Sequence, residues 1–269
     1  MDLARLNDRG LVLVGCGRMG GALLEGWLAR GLKPGSVWVS DPDPAPKWAD
    51  RGLHLNAAPP ADPAVIVLAV KPQMMGDVLP VLRDAAGPDT LIVSVAAGVR
   101  LAAYQAAFPD RAIIRAMPNT PAAIGQGITA LIGNDRAGRD DMRLAGALMS
   151  AVGRCVTLDD EAQMDAVTAL SGSGPAYVFH MIEAMAAAGE AEGLSPELAL
   201  ALARATVAGA GALAMADDTA PAVLRQNVTS PGGTTAAGLA ELMDPDHGLP
   251  PLMRRTLRAA AARGRELGA

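Results

Sequence analysis

The chain has 269 residues and carries 23 Lys and Arg against 28 Asp and Glu, a net charge of −5. A mildly acidic chain lacks the clustered basic face of a nucleic-acid binder, and an apolar content of 51% is too high for wholesale disorder. Aromatic residues make up only 3%, so the core must be aliphatic, and the Ala and Gly content suits closely packed helices. No unbroken apolar run reaches the roughly 18 residues of a membrane span; the best, residues 64–70, has the length of a strand. The first residues carry no signal-peptide pattern, and Cys16 and Cys155 do not make a disulfide framework. A cytoplasmic protein with no nucleic-acid or membrane partner is therefore expected. His54, His180 and His247 show no metal-ligand spacing, so no metal is expected either.

Two textures follow one another along the chain. From Leu11 to about Thr157, apolar runs at 11–14, 37–40, 64–70, 91–95, 112–115, 128–132 and 155–158 read as strands. Helical stretches at 21–30, 74–86 and 101–108 lie between the early ones, the alternation of parallel β-α-β units. Strand signals then stop. Residues 161–170, 175–193, 196–217, 220–227, 235–243 and 250–267 all read as helices, and Ser195-Pro196-Glu197 supplies an N-cap, a first-turn proline and a first-turn acid. The fold class is α/β followed by all-α. Residues 1–160 form a Rossmann-type dinucleotide-binding domain, and residues 161–269 a helical domain for dimerisation and substrate.

Gly15-Cys16-Gly17-Arg18-Met19-Gly20 follows the first strand and opens a helix. In that setting Gly15 permits a tight turn, Gly17 lets a pyrophosphate approach the backbone, and Gly20 lets helix and strand pack closely. Free N–H groups and the helix dipole favour the anion. The second strand ends at Ser40-Asp41, where an acid accepts hydrogen bonds from the adenosine ribose and repels a 2′-phosphate. With Lys47 the nearest following cation, Asp41 leans toward NADH. An alternative is that Asp41 only starts the turn Asp41-Pro42-Asp43-Pro44. Ala69-Val70-Lys71-Pro72 and Ala96-Ala97-Gly98 leave the third and fourth strands at the same sheet edge, where open α/β sheets bind ligands. Cys16 has no neighbouring thiol and is given no redox role.

Three more segments carry a resemblance: Arg115-Ala116-Met117-Pro118-Asn119-Thr120-Pro121, Ser171-Gly172-Ser173-Gly174-Pro175-Ala176-Tyr177 and Val228-Thr229-Ser230-Pro231-Gly232-Gly233-Thr234-Thr235. With the glycine loop, in this order and spacing, the chain resembles the pyrroline-5-carboxylate reductases essentially end to end. The resemblance implies NAD(P)H-dependent reduction of 1-pyrroline-5-carboxylate to L-proline, NADPH being preferred by many relatives. It also implies dimers through the helical domains, assembled in some members into a decamer. Ser230, Gly233 and Thr234 would hold the substrate carboxylate, Val228 would touch the ring, and Thr235 would hydrogen-bond the ring nitrogen as the catalytic residue. Pro118 and Asn119 would border the nicotinamide, and Asn56 the adenosine.

Read physically, Gly232-Gly233 expose backbone N–H groups at a helix start, with Thr234 or Thr235 expected as the cap, a site suited to a carboxylate. Segment 171–177 reads as a small-residue start to a buried helix. The lysine inventory discriminates further. Only Lys33, Lys47 and Lys71 occur, none in the helical half. A β-hydroxyacid dehydrogenase would need a lysine there as general acid/base, and guanidinium does not release a proton near neutrality. A protonated cyclic imine is already electrophilic and needs positioning more than a strong acid. The alternatives are another imine or β-hydroxyacid reductase on the same fold, or a non-catalytic NAD(P)H-sensing regulator.

Overall fold

A computed structural model describes residues 3–267. The chain divides into two compact units, one running to Gly172 and taking back the chain from Ala261, the other Ser173–Ala260.

The first unit is built on a sheet. Helix α1 (Leu3–Arg9) precedes β1 (Leu11–Val14), α2 (Arg18–Ala29), β2 (Val37–Ser40) and the two-residue β3 (His54–Leu55). Then come β4 (Val65–Leu68), α3 (Met75–Leu82), β5 (Leu91–Ser94), α4 (Leu101–Ala107) and β6 (Ile113–Met117). The unit continues through β7 (Gly127–Gly133), α5 (Arg139–Met149), β8 (Gly153–Thr157) and α6 (Met164–Val167), which runs into a π turn at Thr168–Gly172. Strand order is β3-β2-β1-β4-β5-β6-β7-β8.

Every neighbouring pair is parallel except β6 and β7. The expectation of parallel units throughout therefore fails at one place. Between β6 and β7 the chain makes only a five-residue 3-10 turn, Thr120–Ile124, too short to cross the sheet, so β7 folds back antiparallel. Helix α5, not anticipated, supplies the crossover that makes β8 parallel to β7.

Strands β1, β4 and β5 are buried at every position, as central parallel strands covered on both faces must be. The two-residue period sorts their side chains. Leu11, Leu13, Val65 and Val67 pack with Leu23, Leu24 and Trp27 of α2 and with Leu144 and Leu148 of α5. Val12, Val14, Ile66 and Leu68 face the other way, onto Met75 and Leu79 of α3 and Leu101 and Tyr104 of α4. The buried Trp27 Nε1 donates to the Leu148 carbonyl at 2.9 Å, which ties α2 to α5.

The expected helix over 161–170 is broken into a 3-10 turn at Glu161–Gln163, α6 and the π turn. Thr168 Oγ1 and Ser171 Oγ donate back to the carbonyls of Met164 and Val167, at 2.8 and 2.9 Å, a bonding that competes with the regular ladder.

The second unit contains α7 (Gly174–Ala191), α8 (Pro196–Ala216), α9 (Pro221–Asn227) and α10 (Thr234–Leu242). Most of α11 (Leu249–Leu267) completes it. Ser195 caps α8 as expected, its hydroxyl accepting the Leu198 N–H at 3.3 Å. Helices α7 and α8 pack through Ala186, Ala199 and Ala203. Phe179, Leu198, Leu202, Leu213 and Met215 stay exposed in the single chain.

Helix α8 also corrects the expectation about membrane spans: its 21 residues are long and apolar enough to cross a bilayer by length and composition. Glu197 and Arg204 interrupt every unbroken apolar run, but the surrounding Ala and Leu keep the average apolar.

Candidate active site

Register fixes where the candidate loops meet. Val14 pairs with Ser40 on one side and Leu68 on the other, Leu68 with Ser94, and Ser94 with Arg115. The segments after β1, β2, β4, β5 and β6 therefore leave one edge of the sheet, the carboxyl edge. The chain passes from β1 to β2 on one side and then crosses to β4 on the other, so the loops after β1 and β4 flank the switch point at which open α/β sheets take ligands. A cleft of about 440 Å³ opens elsewhere, next to Thr90 and Ala112, which precede β5 and β6. Its Arg9 and Arg136 are engaged with Asp62 and Asp110, each at 2.8 Å, and Arg5 donates to the Asp89 carbonyl.

At the switch point the three glycines have separate duties. Gly15 has φ +91°, and a Cβ there would lie 2.7 Å from the Ala69 carbonyl oxygen, so the β1 and β4 loops touch. Gly20 is pressed against the Gly15 carbonyl, with no room for a Cβ. Gly17 has nothing within 4 Å of the place a Cβ would occupy, and it caps α2 without a side chain. The result is an open cradle at the N-terminus of a 12-residue helix, and it fits the pyrophosphate of a dinucleotide. Arg18 is exposed beside it, and Met19 is half-buried.

Asp41 is tied into this loop. Its Oδ2 accepts the Cys16 N–H at 2.6 Å and its Oδ1 the Asp43 N–H at 2.9 Å. The Gly15 N–H donates to the Ser40 carbonyl at 2.8 Å. Asn56, in the left-handed region at φ +50°, braces the Asp41 backbone from both sides: its Oδ1 accepts the Asp41 N–H at 2.9 Å, and its Nδ2 donates to the Asp41 carbonyl at 2.8 Å. Asp41 thus starts the turn and also fixes the glycine loop. A carboxylate has about four acceptor positions, so lone pairs remain for a ribose. Lys47 is held by Glu25 at 3.1 Å.

Burial and the Asp41 carboxylate push the Cys16 thiol up to about 11, so it is a neutral, packed group at physiological pH. In a Cys155→Ser background, iodoacetamide should modify Cys16 with a rate that rises through about pH 11. A midpoint at the ordinary thiol value would show the loop to be open.

Farther along the edge, Ala96 is buried and Ala97 and Gly98 half-buried, while Lys71 is exposed at the start of the 3-10 turn Pro72–Met74. Pro118 is buried, and the Asn119 amide is occupied by two backbone groups: Oδ1 accepts the Ile128 N–H at 3.0 Å, and Nδ2 donates to the Ser171 carbonyl at 3.1 Å. Asn119 is a brace between the end of β6 and the π turn. A Cβ on Gly172 would lie 2.7 Å from Met117 Cε, so that glycine permits the same approach. The π turn beside β6 went unread in the sequence; its signal was the run Ser171-Gly172-Ser173-Gly174.

In the second unit, α9 ends at Asn227, and Val228 is exposed. The chain turns through Ser230, whose carbonyl accepts the Gly233 N–H at 3.0 Å, and Gly232 has φ +70°. The expected cap is corrected here. Gly233, with extended backbone, is the N-cap of α10, and Thr234 and Thr235 are its first two residues. A hydroxyl at those positions lies past the point from which it could accept the first-turn N–H groups. Both threonines and Ser230 are exposed in the single chain.

A glycine cradle at the switch point of a parallel sheet, an acid at the end of β2 and a following helical unit define a nicotinamide-dinucleotide oxidoreductase of two-part build. Residues 11–98 match a family profile described as NADP oxidoreductase, coenzyme F420-dependent, and residues 161–267 one described as pyrroline-5-carboxylate reductase dimerisation. The pyrroline-5-carboxylate reductase of Pseudomonas aeruginosa is 42% identical over 264 residues, 96% of either chain. That of Synechocystis is 41% identical, covering 96% of this chain and 98% of its own. Among solved structures, a Coxiella burnetii pyrroline-5-carboxylate reductase superposes with a TM-score of 0.90 at 33% identity, over 98% of this chain and 100% of the other. The Plasmodium falciparum enzyme, solved with NADP bound, gives 0.82 at 27%, over 98% and 99%. The chain belongs to the pyrroline-5-carboxylate reductase family. It is an oxidoreductase using a nicotinamide dinucleotide, and its helical half carries self-association.

Proposed function

We propose that this chain reduces 1-pyrroline-5-carboxylate to L-proline, the last step of proline biosynthesis. The observation that carries the reading is the segment 228–235, which combines a glycine cap, open first-turn N–H groups and two threonines at the start of α10. When bound, NADPH or NADH supplies the hydride to the C=N carbon. The proton needed for balance is already on the ring nitrogen, so no lysine acid is required. Ser230 and the Thr234 N–H hold the substrate carboxylate beside Gly233, whose missing side chain leaves the approach open, and the helix N-terminus favours the charge. Val228 lies against the ring. Thr235 Oγ1 accepts from the iminium N–H and orients it.

Residues 1–160 hold the cofactor and residues 161–269 the substrate and the partner subunit. Gly15, Cys16, Gly17, Arg18 and Met19 line the pyrophosphate. Ser40 and Asp41, braced by Asn56, face the adenosine. The segments 69–72, 96–98 and 118–119 border the rest. A second copy covers the exposed apolar residues of α7 and α8, which we read as a subunit interface and not a membrane span, and dimers associate further, up to a decamer. The enzyme works in the cytoplasm, where its two free cysteines stay reduced.

Loss of nicotinamide absorbance that depends on pyrroline-5-carboxylate, with proline as product, tests the reaction. Cofactor binding without turnover would overturn it. Run with NADH and NADPH in parallel, the same assay tests Asp41. Asp41→Ser should move the ratio of kcat/KM values about tenfold toward NADPH, since a charge facing a 2′-phosphate is removed. An unchanged ratio would leave Asp41 with its bracing role alone.

A further inference from the structure

The loop 95–100 carries Ala96, Ala97 and Gly98, and buried polar groups hold it at both ends. At its start, Ser94 Oγ accepts the Ala96 N–H at 3.2 Å and lies 2.5 Å from the Tyr104 hydroxyl. Ser94 and Tyr104 are fully buried, and burial raises the phenol to about 12, so it remains a proton-bearing partner. At its end, Glu161 Oε1 accepts the N–H of Leu101, the first residue of α4, at 2.7 Å. The same oxygen takes Arg115 Nη1 at 2.5 Å. In the middle, Gly98 has φ +79°, and Leu267 lies 3.5 Å from where its Cβ would be.

The Arg115–Glu161 pair stands out energetically. The Arg115 side chain is 8% exposed and that of Glu161 29%, and taking an ion pair even partly out of water is a costly way to gain stability, because apolar residues of similar volume do as well or better. What this pair adds is geometry. Arg115 stands two residues before Met117, where β6 ends against the π turn, and Glu161 also grips the backbone at the end of the 95–100 loop. One carboxylate oxygen thereby couples two segments of the cofactor edge.

We propose that Glu161 and Arg115 are positioning residues of the reductase: by coupling the 95–100 loop to the end of β6, they set where the nicotinamide half of the cofactor is held. This rests on the reading above that Pro118 and Asn119 border the nicotinamide and that 96–98 borders the part of the cofactor beyond the pyrophosphate and adenosine. A clamp acting there affects a dinucleotide with its nicotinamide and leaves the same molecule without it alone. The test is calorimetric titration of the full-length protein, without substrate, with NADPH and with 2′-phospho-ADP-ribose, which lacks only the nicotinamide ring.

Glu161→Ala should weaken NADPH about tenfold while 2′-phospho-ADP-ribose changes less than about twofold, and kcat should fall about 100-fold, the scale of a small misplacement of reacting atoms. Glu161→Gln keeps an acceptor for the Leu101 N–H and should recover most of the loss, and if the alanine variant does not fold the test passes to Arg115. Arg115→Met should repeat the selective loss. Equal losses for both ligands, or none for either, would overturn the proposal. Because the titrations need no turnover, they stand apart from the test of the reaction itself.

Discussion

Replacing Thr235 by Ala should lower kcat for pyrroline-5-carboxylate reduction about 10- to 100-fold, the equivalent of about 1.5–3 kcal/mol for a hydrogen bond to a charged group. NADPH affinity should not change, because the glycine cradle and Asp41 lie in the first unit and Thr235 in the second. Stability should change little. Gly233, not Thr235, is the N-cap of α10, so the substitution removes no cap, and an exposed helical position shifts the melting temperature by about 1–2 °C. Thr235→Ser keeps the hydroxyl and should keep most of the activity. Steady-state kinetics with cofactor titration distinguishes the outcomes. Loss of NADPH binding in Thr235→Ala would place the residue at the cofactor, and unaltered kcat would remove it from the reaction.

Alanine at Gly17 and at Gly20 should produce two different failures from two residues of one motif. At Gly20 the new Cβ meets the Gly15 carbonyl and lies 3.3 Å from the Ala69 Cβ. Backbone cannot retreat as a flexible side chain does, so α2 must move off the sheet at a cost of about 1–3 kcal/mol, with a fall of several degrees in melting temperature. Cofactor binding goes with it, since α2 supplies the N–H groups. At Gly17 the Cβ meets open space and φ is −69°, so the only cost is that of alanine as the N-cap of α2, about 1 kcal/mol or less. That space is the one assigned to the pyrophosphate, and NADPH affinity should fall at least about tenfold. Thermal denaturation and cofactor titration of both variants separate packing from binding. Normal NADPH affinity in Gly17→Ala would mean that the phosphates lie elsewhere.

Much of the architecture is legible because central parallel strands are continuous apolar runs: β1, β4 and β5 announce themselves as Leu11–Val14, Val65–Leu68 and Leu91–Ser94. Helix α8 is as plain, with Ser195 and Pro196 marking its start. Less visible was α5, whose apolar face comes down to Leu144, Ala145, Leu148 and Met149 among charged residues. The two-residue β3 pairs only through Trp38–His54 and Val39–Leu55 and is too short for any periodicity. The direction of β7 depends on the length of the connection before it, and the apolar pattern of a strand is the same in either direction.

The site divides along the same line. Residue types and spacing determined the glycine loop, the acid at the end of β2, the small-residue loops at the sheet edge and the glycine-threonine segment before α10, because each is a local requirement of backbone conformation or charge. Only the tertiary structure decided what those residues touch. Asp41 holds the Cys16 N–H, Asn56 braces Asp41, Asn119 joins β6 to the π turn, and one oxygen of Glu161 binds both Arg115 and Leu101. Such bonds link residues as far as 60 positions apart. They form only after the sheet has aligned its carboxyl edge, and no local pattern in the chain encodes which partner that alignment brings within reach.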